Sequence, residues 1–174
     1  MHRILEVASV SRASFYFYFQ SKEAVVAALL ARVVDEHFTA VHTWLTGGDD
    51  PRAGLHESLL AGARVWSRHR AVLKAVAERW HGTPELQDMW REAMQRLIVA
   101  LQRGIDQQRK AGLAPPGRDS RELAAALIWG GERTFYISSL GLDPGLPSEH
   151  AAAEILYDIW SAAIYGRLGT TTEA

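Results

Sequence analysis

A chain of 174 residues, 48% hydrophobic and 22% charged, carries enough apolar material for a sizeable core in one domain or two small ones, which excludes a disordered polymer. It has no cysteine, which excludes disulfide scaffolds, thiolate nucleophiles and cysteine-ligated zinc and agrees with the reducing cytoplasm, the compartment expected for it; no apolar run reaches the roughly 18 residues of a membrane span, and no signal-peptide core is read at its start. A formal net charge of −1 does not advertise nucleic-acid binding, yet residues 1–22 set Arg3, Arg12 and Lys22 against the single acid Glu6, so a net positive first segment precedes a net negative remainder.

The stretch from Ala8 to Ala24 reads as the end of one helix, a tight turn, a short helix, a second turn and a capped long helix. Ser11 can cap the short helix, with Val10 and Phe15 facing the core and Arg12, Ser14, Tyr16 and Tyr18 projecting outward. Five consecutive aromatics, Phe15 to Phe19, are odd for a solvent helix; they make sense if some anchor a reading helix while the tyrosines meet sugar and phosphate. Lys22 falls in the first turn of the next helix, where free backbone N–H groups and the positive dipole end form an anion site, so its ammonium is placed to hold a phosphate. The competing reading is an aromatic β-strand, but the flanking caps leave a unit too short to pair usefully.

Helical spacing then continues almost without interruption, and no convincing alternation of apolar and polar residues occurs, so the fold class is all-α. Ser21 caps a helix carrying Val25, Leu29, Val33, His37 and Val41 at steps of four, ended by Thr46-Gly47-Gly48-Asp49. Asp50-Pro51 opens the next, to about Arg68, and a shorter one runs from Arg70 to Trp80 and closes at His81-Gly82. Thr83-Pro84-Glu85 starts a long helix with apolar positions Leu86, Met89, Trp90, Met94, Leu97, Ile98 and Leu101, capped at Lys110-Ala111-Gly112 before the Pro115-Pro116-Gly117 loop. Two further helices are expected over about Ser120 to Leu140 and Ser148 to Tyr165, the last ended by Gly166 and followed by a frayed tail from Gly169 to Ala174.

The last helix presents Ile155 and Ile159 on one stripe and Leu156, Trp160, Ala163 and Ile164 beside it, wider than a monomer core needs. Pairing of the last two helices with those of a second chain would bury the surplus; the alternative is a central place in a monomeric bundle. Among the seven histidines none forms His-x-x-x-His, and His37 and His42 are five apart, so no metal site is read. There is no nucleophile elbow, Walker loop or Gly-x-Gly-x-x-Gly: no catalytic residue, cofactor or enzyme activity is expected.

Val10 to Phe19 followed by Ser21-Lys22-Glu23-Ala24 resembles the recognition-helix signature of TetR-like transcriptional regulators, and the likeness extends to Leu29–Val34, His69–Val72, Glu132-Arg133-Thr134 and Ile159–Gly166. The resemblance implies an Ω-shaped, nine-helix homodimer with two helix-turn-helix heads, a ligand pocket in each subunit and dimerisation through the last two helices. It would divide the chain into a reading head with its connecting helix over 1–46, a ligand-binding and dimerisation body over 47–168 and a tail over 169–174. It implies a repressor that binds palindromic double-stranded operator DNA through Ser11, Arg12, Ala13, Ser14, Tyr16, Tyr18 and Lys22 and is released by a hydrophobic small molecule. Matched position by position, the pocket would be lined by Leu59, Trp66, Trp90, Met94, Leu97, Ile128, Gly131, Tyr136 and Trp160.

Four of the six tryptophans (44, 66, 80, 90, 129 and 160) lie on helices that the resemblance places around this pocket, and their flat rings suit a long apolar effector. Where a family member offers two asparagines as polar anchors this chain has Ile128 and Gly131, so its ligand preference is expected to differ. Gly130-Gly131 inside a helix costs about 1 kcal/mol per residue relative to alanine, for which room for a ligand or close helix approach at the dimer seam should compensate. Two departures stand out. Ser9 occupies the place of the family's turn glycine, and the family's long first helix is missing ahead of Met1. A longer natural product is expected, since Phe15, Phe17 and Phe19 without a covering helix make an aggregation-prone patch; the alternative is a ligand-binding dimer that no longer binds DNA.

Overall fold

The computed structural model describes residues 6, 9–45, 50–82 and 84–166, excluding the side chains at 22, 23, 40–43, 45 and 85. Seven α-helices make up most of it: α1 Arg12–Tyr18, α2 Lys22–Leu45, α3 Pro51–Arg68, α4 Arg70–Arg79, α5 Pro84–Lys110, α6 Ser120–Leu140 and α7 Glu149–Tyr165, with one 3-10 turn over Trp80–Gly82. No strand occurs among the described residues, and the fold is all-α. Arg3, the turn at 46–49, the Thr83 cap, the side chains of Val41, His42 and Lys22 and the tail at 169–174 lie outside the described residues.

The helix ends follow from local chemistry. The Asp50 carboxylate accepts from the backbone N–H groups of Arg52 and Ala53 at 2.9 and 3.1 Å, and Pro51 takes the first position, where a missing N–H costs nothing. Asp119 caps α6 through Arg121 and Glu122, and Ser148 caps α7 through the Ala151 N–H at 3.2 Å. At the end of α5 the Leu113 N–H donates to the Gln108 carbonyl and the Gly112 N–H to that of Arg109, with Gly112 at φ +73°; these paired bonds form a Schellman closure, which needs the left-handed residue.

α2 lies against α3 and α5, α3 packs on α7, and α6 lies between α5 and α7. The largest fully buried side chains, Leu30, Leu55, Val76, Ile105 and Ile164, come one each from α2, α3, α4, α5 and α7, so the core belongs to the whole body. Two helices touch almost at backbone distance: a Cβ on Gly104 of α5 would stand 2.3 Å from the Trp44 ring on α2.

Two expectations about facing are corrected. The steps-of-four stripe on α2 does not stay on one side: Val33 is buried but Leu29 is 40% exposed, and the inward residues are Ala27, Leu30, Val33, Val34 and Trp44. Each step of four overshoots a 3.6-residue turn by about 40°, so five such positions fan across nearly half the circumference. Val10, expected in the core, is 42% exposed, because the described part of the head offers it no apolar partner.

Candidate functional site

Two features qualify as functional: the short helix α1 at the head and a cavity in the body. In α1 the Ser11 hydroxyl accepts from the Ser14 N–H at 3.0 Å, fixing the helix start, and Phe15 alone of its residues is buried. Arg12, Ala13, Ser14, Tyr16, Phe17 and Tyr18 are exposed. The Arg12 guanidinium lies 5.8 Å from the Tyr16 ring centroid one turn on, which holds a cation beside a hydroxyl-bearing ring on the outward side. Phe15 packs edge-on to Tyr16 and against Phe19, so the aromatic run divides into a buried anchor, a half-buried Phe19 and exposed rings, Phe17 the most exposed at 81%. The next helix begins at Lys22, its first turn capped by the Ser21 hydroxyl through the Ala24 N–H at 3.0 Å.

The cavity is about 130 Å³, partly open, and is walled by α2, α3, α4, α5, α6 and α7. Of the side chains predicted to line a pocket, it brings together Leu59, Trp66, Trp90, Met94, Leu97, Ile128, Gly131 and Trp160. Tyr136 is the exception and is corrected: it points away, under the Arg133 guanidinium at 4.8 Å, with its hydroxyl 3.5 Å from Glu78. Residue 136 is five positions beyond Gly131, about 140° further round the helix, which turns it off the cavity wall. Trp66 stacks on Phe135 at 6.1 Å and makes one aromatic wall.

Sequence reasoning missed several wall residues, chiefly Trp44, Phe135, His37 and Glu132. A signal existed for Glu132, since an acid between Ile128, Gly131 and Phe135 sits in an inward helical stripe. Burial pushes its carboxyl above the usual range, partly opposed by Arg133, whose Nη2 lies 3.8 Å away. Burial also drives the His37 imidazole down to about 4, so it is neutral at neutral pH.

Gly131 faces Trp160 so closely that a Cβ would meet the ring at 3.2 Å, whereas nothing lies within 4 Å of one on Gly130. Close approach of α7 within the subunit, rather than at a dimer seam, therefore accounts for Gly131; nothing among the described residues accounts for Gly130. Below the cavity, the Trp44 indole N–H donates to the Tyr165 hydroxyl at 3.0 Å, that hydroxyl donates to the Pro51 carbonyl, and the Arg52 guanidinium covers the Tyr165 ring. Among the described residues no group of three metal-ligating side chains gathers, and no helix is long and apolar enough to cross a membrane.

A capped, outward-facing reading helix ahead of a helical body with an apolar cavity defines the class of helix-turn-helix transcriptional regulators. Residues 1–29 match the family model of bacterial regulatory proteins of the tetR family, and residues 55–166 match that of the C-terminal domain of the transcriptional regulator EthR. The chain is 34% identical over 165 residues to the HTH-type transcriptional regulator EthR of Mycobacterium tuberculosis, covering 91% of this chain and 74% of that protein. It is 31% identical over 169 residues to EthR of Mycolicibacterium smegmatis, covering 95% and 76%. A 59-residue likeness at 34% identity, 34% of this chain and 20% of the other, links it to the uncharacterized HTH-type transcriptional regulator YuxN of Bacillus subtilis. The chain belongs to the TetR family of transcriptional regulators; its homologues are regulators, not enzymes.

Proposed function

We propose that this regulator is a repressor that binds palindromic operator DNA as a homodimer in the cytoplasm and lets go when a hydrophobic small molecule enters the cavity. The observation that carries this reading is the continuity of α2. The helix that follows α1 after a three-residue turn also supplies Val33, Val34, His37 and Trp44 to the cavity wall, so an occupant touches the element on which the reader is mounted. In this reading residues 1–46 form the head and connecting helix, 47–168 the ligand-binding and dimerisation body and 169–174 a tail.

Arg12, Ser14, Tyr16 and Tyr18, with Ser11 and Ala13 at the helix start, face the major groove and its phosphates, and Lys22 holds the backbone beside it. Dimerisation runs through α6 and α7, whose Trp129, Ile155 and Ile159 side chains stand in solvent in the single chain. Two heads then read successive major grooves about 34 to 36 Å apart, and effector binding changes that separation.

The test is fluorescence anisotropy with DNA flanking the gene, using this chain and a version extended upstream in frame. Specific binding that weakens as salt rises is expected, and Arg12→Ala should cost about 1–3 kcal/mol of it. If neither chain prefers that DNA over a scrambled duplex, the repressor reading fails.

A further inference from the structure

Apart from indole N–H groups, the polar side chains on the cavity wall are His37, Ser58 and Glu132. Glu132 is the anomaly. Its side chain is 7% exposed, its Oε2 faces Arg133, and its buried Oε1 has no hydrogen-bond partner. A buried carboxylate oxygen left without a donor is costly, and the Glu132 carboxyl, belonging to a residue of the cavity wall, is what a ligand's N–H would satisfy once the side chain turns toward it. Charge selects among ligands. His37 is neutral and Arg133 is not part of the wall, so no fixed positive charge faces the space. An anionic ligand would set a second negative charge beside Glu132, and a neutral one would gain little from it. A cation gains both the carboxylate and the faces of the surrounding tryptophans. Size narrows the choice further: about 130 Å³ is close to the engineered apolar cavities of about 150 Å³ that accept benzene.

We infer that the cavity takes a protonated amine borne on a single apolar ring, its ammonium donating to the Glu132 carboxylate and its ring lying among Trp66, Trp90 and Trp160. This rests on the ligand-binding reading proposed above. The test compares phenethylamine, 2-phenylethanol and phenylacetate near neutral pH, followed by tryptophan fluorescence, since three tryptophans adjoin the expected ring position. The amine should bind about tenfold tighter than the alcohol, with phenylacetate weakest. The isosteric Glu132→Gln should bring the amine down toward the alcohol's affinity while weakening the alcohol far less. Equal binding of amine and alcohol by the wild-type chain, or an amine preference that survives Glu132→Gln, overturns the ligand class while the pocket stands. Failure of all three probes to bind overturns the inference and the pocket together. The wild-type comparison decides even where the variant folds poorly.

Discussion

Ser9 holds φ at +53°, the left-handed region, with its N–H donating to the Glu6 carbonyl at 3.1 Å. A serine there crowds its Cβ against the backbone, at about 1–2 kcal/mol, where glycine would not. Ser9→Gly is therefore expected to raise stability by about 0.5–1 kcal/mol, the strain relieved less the extra freedom of the unfolded glycine, read as a higher urea midpoint. His37 gives a second residue-scale expectation. Its ordinary pKa of 6.5 falls to about 4 on burial, so the folded chain binds fewer protons than the unfolded chain between those values. Stability due to His37 is whole above pH 6.5 and is lost as pH falls toward 4. Glu36, held low mainly by its bond to His69, loses stability in the same acid direction; Glu132, raised by burial, loses it as pH rises. Comparing urea unfolding near neutrality and near pH 4, His37→Phe should show an acid loss smaller than wild type by roughly 3 kcal/mol. An equal loss in both chains would remove His37 as the cause. The inward facing of Glu132 was legible in the spacing of Ile128, Gly131 and Phe135, but what surrounds it and His37 was not, because a polar side chain's environment is set by helices distant in the chain.

At the scale of elements the sequence was far more legible, because helix ends are decided within a few residues. Asp50-Pro51, Ser148 and the glycines after α5 and α6 act through bonds spanning at most five positions, and the predicted boundaries fall within a residue or so of the observed ones. Which side of a helix faces inward was less legible where only one spacing was followed, as Leu29 shows. Nor did the spacing reveal that α5 meets α2 through Gly104. The Trp44 ring has little room to yield there, being buried and held by Tyr165. Gly104→Ala should thus cost about 1–3 kcal/mol despite its better helix propensity, while Gly130→Ala, with open space around it, should gain up to about 1 kcal/mol in the isolated subunit. Thermal melts of the two variants separate these signs; a stabilised Gly104→Ala would mean that the contact is loose.

For the whole molecule, the apolar face left on α7 matters most. Ile155 and Ile159 are 40% and 52% exposed, while Leu156, Trp160 and Ile164 on the same helix are buried, so one helix serves the core and still has apolar surface to cover. In the dimer proposed above, Ile159→Glu is expected to weaken self-association at least about tenfold by bringing like charges into the interface, and light scattering should then report the monomer mass. A dimer mass unchanged in the variant would move the interface elsewhere. The width of this face was legible in the sequence; the pocket was legible only through the family resemblance, since a cavity is where six helices fail to fill the volume between them.

The Trp44 contact has a mechanical consequence. Pinned to Tyr165 and pressed on Gly104, it is a fulcrum near one end of α2. His37 lies seven residues from it and Lys22 twenty-two, about 10 Å and 33 Å along the axis at ~1.5 Å per residue. If α2 pivots there as a rigid arm, a sideways push of about 1 Å at His37 arrives at the reading head as about 3 Å, the length of a hydrogen bond to phosphate.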